Sequence, residues 1–232
     1  MRIPEPWIEA TLLKRYQRFL VDAQLHDGSI ITAHCANSGS MLGLIPPGAS
    51  VLLSAATGPS RRTAWTLEWI RLPESWVGVH TGRTNALVAE ALSRDVIPEL
   101  AGYSEIRPET HFDRHTRLDF RLRGSDRPDC WLEVKSVTLR QGHQARFPDA
   151  VTRRGRHHLE ILQQAVLQGM RAVQLFVVQR GDCQGFAPAA MIDPAYSDAL
   201  HQARRQGVEI LAYDCVLQPP EWSIRNAMAL DF

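Results

Sequence analysis

The sequence predicts an α+β chain of 232 residues, with a small N-terminal β-barrel over residues 1–80 and a mixed α/β domain over residues 81–232. Three observations carry that prediction. Up to about residue 80 the apolar segments are short, strand-like and separated by Gly/Pro turns; beyond it, helical and strand periodicities alternate. Near the middle, two strand-like runs flank the turn Gly124-Ser125-Asp126-Arg127-Pro128, and the second of them, CWLEVKSVTL, carries an acid and a lysine inside an otherwise buried pattern.

The barrel segments come in order. TLLKRYQRFLVDAQL opens it, SIITAHCA follows the turn signal Asp27-Gly28, SVLLSAA follows Pro46-Pro47-Gly48, and TAWTLEWIRL closes the series. Short strands at this spacing read as a compact all-β module, and at this size a five-stranded OB-type barrel is the commonest candidate. Such barrels often bind single strands or oligosaccharides. Arg15 and Arg18 flank Tyr16 and Phe19, and HCANSGSM supplies His34, Asn37 and Ser38 beside Gly39. A basic and aromatic strand next to a polar glycine turn suits base stacking or phosphate cradling; the same residues could equally shape a turn and fill a barrel.

In the second half, WVGVH is a short strand and TNALVAEALSR a helix with Thr84 as its N-cap, while Gly102 to Pro108 reads as a loop. TRLDFRLRG and CWLEVKSVTL then form a hairpin. A long helix over DAVTRRGRHHLEILQQAVLQG ends at Gly169, the strand RAVQLFVVQ follows, and a helix over PAYSDALHQARRQ precedes the strand VEILAYDCVL. This order gives a mixed sheet.

Side chains two apart on a strand share a face, so Glu133 and Lys135 sit side by side while Leu132 and Val134 point the other way. If the hairpin pairs antiparallel through the Gly124 to Pro128 turn, Asp119 lies opposite Glu133. Two carboxylates then converge. A hard divalent cation such as Mg²⁺ or Mn²⁺ takes carboxylate oxygens and waters, and it polarises phosphoryl oxygens while activating a bound water. Lys135 beside that water would stabilise developing charge. The opposing reading is an exposed ion pair worth at most about 1 kcal/mol. Lysine usage weighs against it: of 26 basic residues only Lys14 and Lys135 are lysines.

Asp, thirteen residues, then Glu-x-Lys on hairpin strands between helices resembles the active-site arrangement of the PD-(D/E)XK nuclease superfamily. That resemblance implies a restriction-endonuclease-like α/β domain with Asp119, Glu133 and Lys135 as catalytic residues, Asp119 and Glu133 as ligands of Mg²⁺ or Mn²⁺, and Glu90 as a further ligand from the preceding helix. The next helix would face phosphate with Arg153, Arg154 and His158. The segments RYQRFLVD, HCANSGSMLGL, PGASV, NALVAEAL, RLDF, RPDCWLEVKSVTL, FPDAVTRRGRHHLEIL and GVEILAY are together similar to the sugar fermentation stimulation protein family, SfsA, nearly end to end. The family resemblance implies an OB-fold joined to a PD-(D/E)XK-like domain and a DNA-binding role tied to sugar utilisation.

Three function classes follow: a metal-dependent DNA phosphodiesterase gripped by its barrel, a non-catalytic DNA-binding regulator of sugar (maltose-type) metabolism genes, and a sugar-responsive or partner-binding module outside nucleic acids. A formal net charge of +1 excludes a globally basic surface, so any DNA contact must be local. One local excess lies between Arg140 and Glu160, where Arg140, Arg146, Arg153, Arg154 and Arg156 stand against Asp149 and Glu160. No helix-turn-helix or zinc finger is visible. The strandedness of the DNA stays open, and a homodimer is compatible with the sequence. Cys35, Cys130, Cys183 and Cys215 are far apart and read as reduced thiols. The start, MRIPEPWIEA, lacks a signal-peptide pattern, and no run nears the roughly 18 apolar residues of a membrane span, so a cytoplasmic location without a membrane partner is expected.

Overall fold

The computed structural model describes residues 1–56 and 61–232. Five strands close the N-terminal barrel: β1 (Trp7–Tyr16), β2 (Leu20–Gln24), β3 (Ile30–Cys35), β4 (Ser50–Ala55) and β5 (Trp65–Arg71), with the short β6 (Trp76–Gly78) beside β5. The order β3-β2-β1-β4-β5 is closed by a parallel pairing of β3 with β5, Ala33 to Trp65 through Cys35 to Leu67. Every second residue fills the interior: Ala10 and Leu12, Val21 and Ala23, Ala33 and Cys35, Val51 and Leu53 are all buried.

The run TLLKRYQRFLVDAQL, read as one segment, is in fact parts of two strands. The chain reverses at Gln17 and Arg18, whose φ values of 45° and 66° give the left-handed geometry of a tight hairpin turn. Such turns ordinarily carry Asn-Gly, and each non-glycine residue there costs roughly 1 kcal/mol. Arginine hydrogen bonds offset that cost. Arg15 Nε donates to Arg18 O at 2.8 Å and Arg18 Nε to Ser38 O at 2.9 Å.

The second half contributes α1 (Thr84–Ser93), β7 (Glu105–His111), β8 (Arg117–Arg123), β9 (Cys130–Val137), β10 (Leu139–Gln141), β11 (Gln144–Phe147), α2 (Arg153–Leu167), β12 (Arg171–Val178), β13 (Gly185–Pro188), α3 (Pro194–Arg205), β14 (Glu209–Gln218), β15 (Glu221–Ala227) and β16 (Ala229–Leu230). Its main sheet runs β7-β8-β9-β12-β14-β15, parallel across β9, β12 and β14 and antiparallel toward both edges. Buried on both faces, β12 reads as an apolar run from Ala172 to Val178 broken only by Gln174. Helix α1 and barrel residues Leu52 and Trp69 cover one face; α2 and α3 cover the other.

Four differences from the sequence reading have simple causes. The stretch from Glu105, read as loop, belongs to β7, an edge strand where Pro108 needs no ladder partner for its missing N–H. Thr84 is the first helical residue and not the N-cap; a 3₁₀ turn over Thr81–Arg83 leads into α1, and the Thr84 hydroxyl accepts from Gln179 Nε2 at 3.1 Å. Helix α2 starts at Arg153, not Asp149, capped by Thr152, whose hydroxyl accepts from Gly155 N at 3.1 Å. A further sheet, β10-β11-β13-β16, was not foreseen because its strands are two to four residues long.

Barrel and sheet are joined at β6. Gly78 N donates to Gln179 O at 2.9 Å, and a side chain at Gly78 would meet the Trp222 ring at 2.4 Å. Nearby, the buried Glu68 of β5 accepts from Arg83 Nη2 at 2.7 Å and from Ser54 Oγ at 2.7 Å. Gly78→Ala is expected to destabilise the protein by about 1–3 kcal/mol through forced displacement of Trp222, measured as a lowered urea midpoint at unchanged slope.

Candidate metal centre and interdomain cleft

Strands β8 and β9 pair in the expected register, with Phe120 opposite Leu132, Arg121 opposite Trp131 and Leu122 opposite Cys130. Beyond that ladder the strands part, and Asp119 fills the opening: its Oδ2 accepts from Val134 N at 2.7 Å and its Oδ1 from Asn85 Nδ2 at 2.7 Å. Glu133 is buried beside it. Its Oε1 accepts from Lys135 Nζ at 2.5 Å and from His158 Nδ1, whereas Oε2 is buried without a partner.

The two carboxylates titrate in opposite directions. Burial, then the neighbouring Glu133 charge, pushes Asp119 up to about 6 despite its two donors and Lys135. For Glu133, burial acts upward as well, but the His158 hydrogen bond and the Lys135 charge outweigh it and hold the carboxyl below its usual range. Asp119 is thus an under-compensated acid beside an orphaned carboxylate oxygen. That donor set fits a hard divalent cation, which takes such oxygens and fills its remaining positions with water. Among the described residues no cluster of three or more His, Cys, Asp or Glu side chains forms a ready-made cage.

These residues line a cleft of about 680 Å³ between the barrel and the second half. From the barrel come Arg18, Asn37 and Ser38; from the sheet side come Asp119, Glu133, Lys135, Arg154 and His158. The cleft mouth is held by Asp149, whose Oδ2 accepts from Met41 N at 3.0 Å while Ser40 Oγ donates to its backbone carbonyl at 2.7 Å. Gly39 permits this approach, since a Cβ there would lie 2.6 Å from the Asp149 carboxylate.

Not every residue singled out in the sequence comes to this cleft. Glu90 does not: its carboxylate is bound by Arg94 Nη1 at 2.9 Å and by the Met1 ammonium at 3.0 Å, on the opposite flank of α1. At 3.6 residues per turn, positions 85 and 90 lie roughly 140° apart, so the helix offers Asn85 to Asp119 and not Glu90. Arg15 is spent on the loop, with Nη2 donating to Asn37 O at 2.9 Å and Gly39 O at 3.2 Å. Asn37 is buried and shapes the same loop, donating to Val79 O at 3.0 Å and accepting from Gly39 N at 2.8 Å. Phe19 is 42% exposed and stacks on His34 with ring centroids 6.2 Å apart. Arg153 is exposed at the start of α2, and His158, read as a phosphate contact, is buried against Glu133. Sequence reasoning missed Asn85 and Glu109, which also line the cleft, as does Arg146 from the basic excess noted between Arg140 and Glu160. For Asn85 the signal was available, as a polar side chain next to the apolar stripe Leu87, Val88, Ala91, Leu92.

An OB-type barrel joined to a mixed sheet, with an Asp and a Glu-x-Lys where an antiparallel hairpin meets the parallel strands, places the chain in the class of OB-plus-restriction-endonuclease-like proteins. More particularly, the chain belongs to the sugar fermentation stimulation protein family. The profile of the SfsA N-terminal OB domain matches residues 13–79, and that of the sugar fermentation stimulation protein RE domain matches residues 82–221. A sugar fermentation stimulation protein homolog of Paramagnetospirillum magneticum is 46% identical over 231 residues, covering 100% of this chain and 98% of the relative. That of Geobacter sulfurreducens is 49% identical over 221 residues, covering 95% and 94%. The fold matches the structure of Pyrococcus furiosus SfsA in complex with Ca²⁺ at TM-score 0.89 and 24% identity, covering 100% of both chains.

Because folding raises the Asp119 pKa, its proton stabilises the native state at acid pH, and that contribution is lost as pH rises from about 4 toward about 6. Asp119→Asn keeps an acceptor for Val134 N and removes the charge. The substitution is expected to raise metal-free stability by about 1–3 kcal/mol at pH 7.5 and by little at pH 4, measured by thermal unfolding at both pH values.

Proposed function

We propose that this protein is a Mg²⁺- or Mn²⁺-dependent phosphodiesterase acting on DNA. The observation that carries the reading is the pairing of the desolvated Asp119 with the partnerless Oε2 of Glu133 in one cleft, with the Lys135 ammonium on the same carboxylate. Strongly shifted acids in a cleft are a mark of chemistry more than of stability. The Ca²⁺ in the Pyrococcus furiosus relative supports a hard-cation site in this fold.

Asp119 and Glu133 would hold the cation, and when bound it would supply Lewis acidity at a phosphoryl oxygen and acidify a water. Lys135 offers a compact charge within reach of the same point, suited to stabilising negative charge that develops on the phosphate. Arg18 from the barrel and Arg154 from α2 line opposite walls and would meet backbone phosphates on either side. With a net charge of +1, DNA contact has to come from a local basic surface, and in this reading that surface is the cleft and its rim.

Purified protein with Mn²⁺ or Mg²⁺ is expected to cut at least one member of a panel of single-stranded, duplex, nicked and branched DNA. Asp119→Ala and Lys135→Ala should abolish cutting and leave mobility shifts in place. A panel left uncut with both metals would replace the enzyme by a DNA-binding regulator that keeps the cleft as a clamp. Arg18→Ala and Arg154→Ala should each lower the slope of log K against log salt by about 1; Arg15→Ala should act only through the stability of the 37–40 loop, which Arg18→Ala also loosens through its lost bond to Ser38 O. Slopes unchanged in both variants would take the cleft out of the DNA path.

A further inference from the structure

The least exposed side chain on the α2 side of the cleft is His158, 5% exposed, and the proposed chemistry leaves it without a task. Its surroundings are specific. Nδ1 is hydrogen-bonded to Glu133 Oε1 and lies 3.3 Å from Lys135 Nζ, while Nε2 lies 3.3 Å from Arg154 Nε one helical turn earlier. A guanidinium can only donate and a carboxylate only accept, so Nε2 accepts from Arg154 and the ring proton sits on Nδ1, donated to Glu133 Oε1, while the Lys135 ammonium donates to that same oxygen and not to the ring.

We infer that His158 is a positioning residue for the metal-ligating carboxylate: it ties down Glu133 Oε1 so that Oε2 stays free for a divalent cation. The inference rests on the metal reading of Asp119 and Glu133. Without the imidazole, Lys135 would be the one remaining partner of Glu133. A flexible ammonium can follow either oxygen, so the carboxylate would lose its fixed orientation. The placement supports this assignment, because His158 lies on the buried face of α2 with Gly155, Leu159 and Leu162 and reaches the cleft with only a small part of its surface. Partners that orient a ligating group typically change metal affinity by 10- to 100-fold when removed. The chain Arg154, His158, Glu133 also links a residue on the cleft wall to the cation site by two hydrogen bonds.

The test is Mn²⁺ titration calorimetry on the metal-free full-length protein, comparing wild type, Asp119→Ala, His158→Ala and His158→Asn. Wild type should bind Mn²⁺, and Asp119→Ala should not. His158→Ala should bind about 10- to 100-fold more weakly, and His158→Asn, whose amide can donate from the Nδ1 position, should recover most of that loss. If wild type and His158→Ala bind equally, the positioning role is wrong and the metal reading survives; if wild type does not bind, both fall together. A measurement without substitution guards against misfolded variants: long-range ¹⁵N–¹H spectra of the wild-type ring should show a proton on Nδ1. A ring protonated at Nε2 alone overturns the inference.

Discussion

The hydrogen bond from Val134 N to Asp119 Oδ2 is the constraint on which the rest of the site depends. It forms at the point where β8 and β9 stop pairing as a ladder, so a backbone donor that would otherwise face an empty strand edge is satisfied by a side chain. Satisfying that donor draws a carboxylate into a half-buried position next to a second one. The resulting repulsion is only partly relieved by Asn85, Lys135 and His158. A purely structural sheet would fill this place with a Thr or Val. The fold instead tolerates an acid whose charged form it disfavours, the usual arrangement where stability has been given up for function.

The cleft's opposite wall is built differently, from a loop that borrows its rigidity. Residues 37–40 receive donors from Arg15 and Arg18 on the barrel hairpin and offer Ser40 to Asp149 across the domain junction. Because Arg18 itself sits in a left-handed conformation, hairpin and loop are not independent: loosening one releases the other. The barrel therefore holds its wall at a fixed distance from the acids, reinforced by the Glu68 to Arg83 pair at the base of α1.

The central constellation was legible in the sequence because strand geometry has a period of two and a hairpin fixes a register; once Glu133 and Lys135 share a face, the turn at Gly124 to Pro128 dictates that Asp119 joins them. The helical contribution was misread because Glu90 and Asn85 are both polar residues beside the same apolar stripe, and only packing decides which flank meets the sheet. His158 was legible as a member of the α2 face toward the cleft but not as a buried ring, since Arg154 and His157 around it are exposed. The barrel was legible as a class from its spacing, but its first hairpin was hidden: Gln17 and Arg18 carry no turn signature, and arginine hydrogen bonds do the work that glycine does elsewhere.

The near absence of lysine gives the molecule a reporter of its own. Lys14 has a side chain 67% exposed at the barrel surface, and Lys135 one 13% exposed at the acids, with arginine serving every other basic position. Amine-directed chemistry, which in an ordinary protein decorates dozens of sites, would here find two side chains besides the Met1 ammonium held by Glu90. One lies on the outside of the barrel, and the other lies in the cleft, mostly shielded and bound to Glu133.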